Sequence, residues 1–94
     1  MTRVRSPEEL ARMPAGQLRK YADRFAVASS ENCKALIAAG RGNETGRETR
    51  AKSDPLSLEY VAVNDAWSAA TAEQAARRRY HGGDGPILSP KTHI

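Results

Sequence analysis

Between Asp54 and Tyr80 the chain meets no stop signal, and this segment constrains the fold more than any other. Asp54 can cap a helix, Pro55 suits its first turn, and Gly82-Gly83 ends it. The predicted helix, 55–80, carries two apolar stripes. One is Leu56, Tyr60, Val63, Trp67 and Ala70; the other is Leu58, Val61, Ala62, Ala66, Ala69, Ala72 and Ala76. A helix apolar over more than half its circumference is usually covered on more than one side. A single partner helix from the same chain covers one stripe only. Self-association is therefore expected. Tyr60, Val63, Trp67 and Ala70 would supply area to that seam, while Ala62, Ala66 and Ala69 would let backbones approach closely.

Two further helices precede it. Ser6-Pro7-Glu8-Glu9 combines a cap, a first-turn proline and an acid at the capping-box position, so a short helix is expected over 7–13, ended by Pro14. Leu18, Tyr21, Ala22, Phe25, Ala28, Cys33, Leu36 and Ile37 recur mostly at steps of three or four, which predicts a helix over 15–39. Gly40 and Gly42 stop it. Residues 40–53, GRGNETGRETRAKS, read as a basic glycine-rich loop, longer than the roughly 2–8 residues usual between bundled helices. Residues 82–94 read as an extended tail in which Ile87 and Leu88 form a small apolar knob. The expectation is an all-α protein with one helical domain, 1–81. A short first helix precedes an antiparallel two-helix hairpin, which packs as a homo-oligomeric bundle, a dimer giving four helices.

The chain has 94 residues, room for one domain, which excludes large multi-site enzymes and channels. Sixteen residues are alanine and only five are aromatic, so the core of one copy is thin. Oligomerisation is the expected remedy, because the lone Cys33 cannot form an internal disulfide and no Cys/His cluster suggests a structural metal. Residues 1–7 carry charge but no apolar run, so no secretory signal is read there. With one cysteine, this fits a reducing cytoplasm. A phage or mobile-element protein made inside a bacterial cell would carry the same features.

Fifteen Lys/Arg against eleven Asp/Glu, net charge +4, direct attention to anionic partners. Arg77, Arg78 and Arg79 fan around one turn beside Tyr80 and His81; guanidinium forks suit phosphate oxygens and an aromatic ring can stack on a base. The plainer reading is a helix C-terminus whose dipole favours cations. Arg41, Arg47, Arg50 and Lys52 could cradle an anion in the glycine-rich loop, although Glu44, Glu48 and Asp54 cancel most of that charge. Lys20 and Arg24 share a helix face beside Arg19 and Tyr21 and could follow a phosphate backbone, or simply form a wet surface interrupted by Asp23.

Enzyme chemistry finds little footing. Cys33 lacks a base at helical spacing, and the only histidines are His81 and His93, so a buried, inert thiol is expected. No catalytic set, metal-ligand set or cofactor fingerprint is present in the sequence. Asn64 or Asp65, polar among apolar neighbours, is expected to fix helix register, the alternative being contact with a ligand in an interhelical pocket. Two functional readings follow. The first is a non-enzymatic binder of nucleic acid or a phosphate-rich nucleotide. The second is a protein–protein module acting through the surplus apolar stripe and the Ile87-Leu88 knob.

Overall fold

The computed structural model describes residues 3–81. They form four helices and, among the described residues, no strand: α1 (Pro7–Arg12), α2 (Ala15–Ala38), α3 (Gly46–Arg50) and α4 (Pro55–His81). The chain is all-α, as its periodicity predicts. Among the described residues, no helix is long and apolar enough to cross a membrane.

The predicted caps are in place. Glu9 N–H donates to Ser6 Oγ at 3.2 Å, and Ser6 N–H donates back to Glu9 Oε1 at 3.0 Å. At the start of α4, Ser57 N–H and Ser57 Oγ donate to the two Asp54 carboxylate oxygens at 3.3 and 3.0 Å. Helix α2 ends with Gly40 at φ +79°, the left-handed conformation that glycine adopts without strain. Gly40 N–H then donates to the Ile37 carbonyl and Arg41 N–H to the Leu36 carbonyl, at 3.0 and 2.8 Å. This double bond pattern satisfies two orphan carbonyls and reverses the chain.

The reversal delivers Arg41 to the head of α4. Its guanidinium donates to Glu44 Oε1 at 3.0 Å, Asp54 Oδ2 at 2.6 Å and Ser57 Oγ at 2.6 Å. The glycine-rich loop is thus less of a loop than its composition suggests. Thr45 and Glu48 form a second reciprocal capping box, at 2.8 and 3.1 Å, and start the one-and-a-half-turn α3. Glu44 also accepts from Thr49 Oγ1 and Lys52 Nζ. Arg50 closes α3 onto α4 by pairing with Asp65 at 2.7 Å over the ring of Tyr60.

The core lies between α1, α2 and α4: Leu10 and Met13; Leu18, Tyr21, Ala22 and Phe25; Val63, Ala66 and Ala70. The rings of Tyr21 and Phe25 meet at 4.9 Å, tilted by 55°. Partners run in opposite order along the two long helices. Asn32 donates to the Leu56 carbonyl at 3.1 Å, Ser29 Oγ to Asn64 Oδ1 at 2.9 Å, and Arg77 reaches Leu10 and Met13 just before α2 begins. Asn64 therefore ties α4 to α2, while its Nδ2 donates to the Tyr60 carbonyl of its own helix at 2.9 Å.

Three expectations about the stripes need correction. Val63, Ala66 and Ala70 fill this chain's own core and cannot form a seam with another copy. Of the other expected seam residues, Tyr60 and Ala62 are half-buried and Trp67 and Ala69 are exposed. The inward face of α4 draws on both predicted stripes, because each is alanine-rich and only the phase against α2 selects between them. On α2, Asn32 takes the inward position, leaving Cys33 and Ile37 exposed. Cys33 lies almost a quarter-turn from the Phe25 direction at 100° per residue, so it is not the buried thiol expected.

Candidate functional site

The opposed order of α2 and α4 brings α1, the first half of α2 and the last half of α4 to one end of the molecule. The sequence then divides unevenly. Residues 3–26 and 66–81 carry nine Lys/Arg and four Asp/Glu, while residues 27–65 carry five and six. The net charge of the chain is thus gathered at one end.

At that end lies a cleft of about 170 Å³ between the N-terminal arm and α2, lined by Arg5, Met13, Gln17, Lys20, Tyr21 and Arg24. Gln17, Lys20 and Arg24 stand at i, i+3 and i+7 on one face of α2. Arg5 is brought opposite them by its backbone N–H, which donates to Tyr21 Oη at 3.0 Å. Its guanidinium is 3.5 Å from Glu9 Oε2, a loose contact, because Arg3 holds that carboxylate more closely at 2.7 Å. The Arg3 hydrogen bond, helped by the Ser6 N–H, holds the Glu9 carboxyl at about 2, below its ordinary 4.5. Lys20 and Arg24 are exposed and enter no ion pair among the described residues. Arg12, Arg78 and Arg79 are exposed at the same end.

Several expected site residues fall elsewhere. Arg77 is not a surface cation. It is wholly buried, with Nη2 donating to the Leu10 and Met13 carbonyls and Nε donating to Glu73 Oε2. It satisfies the C-terminal carbonyls of α1 and is unavailable to a ligand. Tyr21 lines the cleft but is buried in the core, too enclosed to stack on a base, and its hydroxyl accepts from the Arg5 N–H. Arg41 and Arg50 are engaged by Asp54, Glu44 and Asp65 and belong to the loop's internal scaffold; Arg47 is exposed. The Arg41 hydrogen bond, with support from Ser57, holds the Asp54 carboxyl at about 2, below 3.8. The side chains of Tyr80 and His81 lie outside the described residues, as do Ile87, Leu88 and His93.

Sequence reasoning missed Arg5, which stands immediately before a helix cap and is read as arm. It also missed Gln17, whose i+3 and i+7 partners were the available signal. Among the described residues no three His, Cys, Asp or Glu side chains are grouped to hold a metal. No protein-family model, no curated protein and no solved structure matches the chain.

Proposed function

We propose that this protein is a non-enzymatic helical binder of a phosphate-bearing anionic partner, nucleic acid or a phosphate-rich nucleotide. The observation that carries the reading is the gathering at one end, around the Arg5–Lys20–Arg24 cleft, of Lys20, Arg24, Arg78 and Arg79, which are exposed and enter no ion pair among the described residues. Lys20, Arg24, Arg78 and Arg79 neutralise phosphate in this reading, and Arg5 and Gln17 supply directed donors. Arg77 acts behind them by fixing α1 against α4.

Binding of this kind weakens steeply with salt, because each neutralised phosphate releases a counterion. The test is fluorescence anisotropy of a labelled oligonucleotide across a salt series. Affinity should fall steadily with salt and drop further in the Lys20→Ala, Arg78→Ala, Arg79→Ala triple variant. Absence of binding at low salt, or affinity indifferent to salt and to the triple variant, overturns the reading.

One observation favours the second reading, a protein–protein module. Trp67 is exposed over a shallow cavity of about 290 Å³ lined by Ala26, Ser29, Ser30 and Cys33, and Leu58 is exposed on the same helix. If Trp67→Ala abolishes capture of a partner protein while the arginines are dispensable, this reading prevails. In either reading two copies of the hairpin assemble as a homo-oligomeric bundle, inside a cytoplasm.

A further inference from the structure

Val63, Ala66 and Ala70 of the α4 seam expected from sequence are taken by the chain's own core, which directs attention to other surfaces for a second copy. Such a surface exists on the opposite flank of α2 from Trp67. There α2 and α4 bound an open groove of about 520 Å³, lined by the apolar Phe25, Val27, Ala28 and Val63 and by the charged Asp23, Arg24, Glu31 and Glu59. Val27 is 58% exposed, the kind of apolar residue that a two-helix layer leaves uncovered.

The charges beside Val27 have a particular order. Arg24, Val27 and Glu31 lie within about 60° of one another around α2, at 100° per residue. Arg24 and Glu31 stand equally far, in opposite directions, from the midpoint between Val27 and Ala28. Neither enters an ion pair among the described residues. A two-fold axis through that midpoint, with the two α2 helices antiparallel, sets Arg24 of each copy opposite Glu31 of the other. It sets Val27 against Ala28, Lys20 against Ala35, Gln17 against Ala38 and Asp23 against Asn32, so no like charges of α2 stand directly opposite one another. The stripe is complementary to its own reverse, as an isologous interface requires. A cationic or anionic stripe would instead repel a second copy.

We infer that the α2 flank Arg24–Val27–Glu31 and its groove form the seam of a two-fold symmetric dimer, in which reciprocal Arg24–Glu31 pairs fix the register. This inference does not rest on the anion-binding reading, and it differs from it at Arg24, which pairs across the seam here and so no longer neutralises phosphate. Arg24 borders both the cleft and the groove; the dimer draws it to the groove and leaves Arg5, Gln17 and Lys20 to the cleft. Alanines 28, 35 and 38 on the flank allow the helices to approach closely.

Sedimentation equilibrium on the full chain tests it. The wild type should run at twice the 10.2 kDa chain mass. Arg24→Glu and Glu31→Arg should each weaken association at least about tenfold, since each places like charges opposite twice. Mixing those two variants should restore a dimer, because every 24–31 contact then regains opposite signs. The double variant should dimerise alone for the same reason. Helix content by circular dichroism accompanies each sample. Should either reversal unfold the chain, Val27→Asp, placed at the axis, serves in its place and should give a folded monomer. A monomeric wild type overturns the inference, as does a dimer indifferent to the reversals and to Val27→Asp. Oligonucleotide anisotropy on Glu31→Arg, which keeps Lys20, Arg78 and Arg79, reads the anion-binding function separately.

Discussion

Arg77 and Leu10 lie 67 residues apart in sequence, yet Arg77 Nη2 sits 2.8 Å from the Leu10 carbonyl oxygen, in a side chain with no exposed surface. The same nitrogen bonds the Met13 carbonyl at 2.8 Å, and Nε bonds Glu73 one turn earlier on α4 at 2.9 Å. At the end of α1 the Leu10 carbonyl also accepts from the Met13 N–H at 3.2 Å, and the guanidinium from α4 adds a second donor there and bonds the Met13 carbonyl as well. A run of three arginines is divided by helical rotation into one internal strut and two surface cations.

Arg77→Ala should therefore destabilise the fold strongly. It leaves the Met13 carbonyl and the mostly buried Glu73 carboxylate without the guanidinium, and the Leu10 carbonyl with only the Met13 N–H, a loss of about 3–5 kcal/mol. Arg78→Ala, two atoms of backbone away but exposed, should stay within about 0.5 kcal/mol of wild type. Urea titrations followed by circular dichroism read both. Equal midpoints for the two variants would show that water replaces the guanidinium without penalty.

Acid should weaken the fold through two capping carboxylates. Glu9 and Asp54 are both held at about 2, chiefly by Arg3 and Arg41 respectively, against ordinary values of 4.5 and 3.8. A depressed folded-state value means that the unfolded chain takes up the proton first. The stabilisation is then complete above the ordinary values and is lost as pH falls through them toward 2. Thermal midpoints should be flat from neutrality to about pH 5 and decline below. Glu9→Gln and Asp54→Asn should each lower the neutral-pH midpoint and flatten the decline. An unchanged acid slope in Asp54→Asn would mean that the Arg41 hub does not persist in solution.

Helix ends were the most readable part of this chain, because capping is local chemistry: Ser6 with Glu9, Asp54 with Pro55, and Gly40 after α2 each announce themselves within a few residues. The same signal was available at Thr45 and Glu48, but three glycines around them obscured α3. Facing was harder to read. With alanine on nearly every side of α4, the phase that places Val63, Ala66 and Ala70 inward depends on α2 and not on α4's own pattern. The site suffered most from this. Arg77 and Tyr21 looked like ligand groups because arginine and tyrosine hydroxyls are usually solvated, whereas here both polar tips meet backbone groups inside the fold. Lys20 and Arg24 were readable as a face, but Arg5 joins them only through a tertiary bond to Tyr21.

Asn32 shows how an inward polar residue can be tolerated without being optimal. It is buried, its Nδ2 donates to the Leu56 carbonyl, and its Oδ1 has no hydrogen-bond partner. Asn32→Leu removes one bond of about 1 kcal/mol and also an unsatisfied acceptor of comparable cost. Its stability should stay within about 1 kcal/mol of wild type. Asn32→Asp, nearly the same shape, buries a charge instead and should be far less stable at neutral pH than in mild acid. Chemical denaturation at pH 7 and pH 5 distinguishes them, and pH-independent stability of the aspartate variant would place residue 32 in contact with water.

Gly46 and Tyr60 give the most specific test of how α3 is docked. A Cβ on Gly46 would stand 2.6 Å from the Tyr60 hydroxyl, closer than non-bonded atoms approach, with Tyr60 Cζ at an ordinary 3.6 Å and no other residue within 4 Å. At the first position of α3, alanine would otherwise be favoured over glycine by helix propensity, about 1 kcal/mol in a helix interior. In the native background the clash should outweigh that gain: Gly46→Ala shifts the Tyr60 ring, and with it the Arg50 guanidinium that lies 5.5 Å from the ring centroid. Tyr60→Phe removes the oxygen that clashes and keeps the ring under Arg50. Gly46→Ala should thus lower stability in the wild type but be neutral or favourable in Tyr60→Phe. The double-mutant cycle should give a coupling of about 1 kcal/mol. Additive effects in that cycle would show that α3 does not rest on Tyr60 in solution, and would release the loop to act as a separate segment.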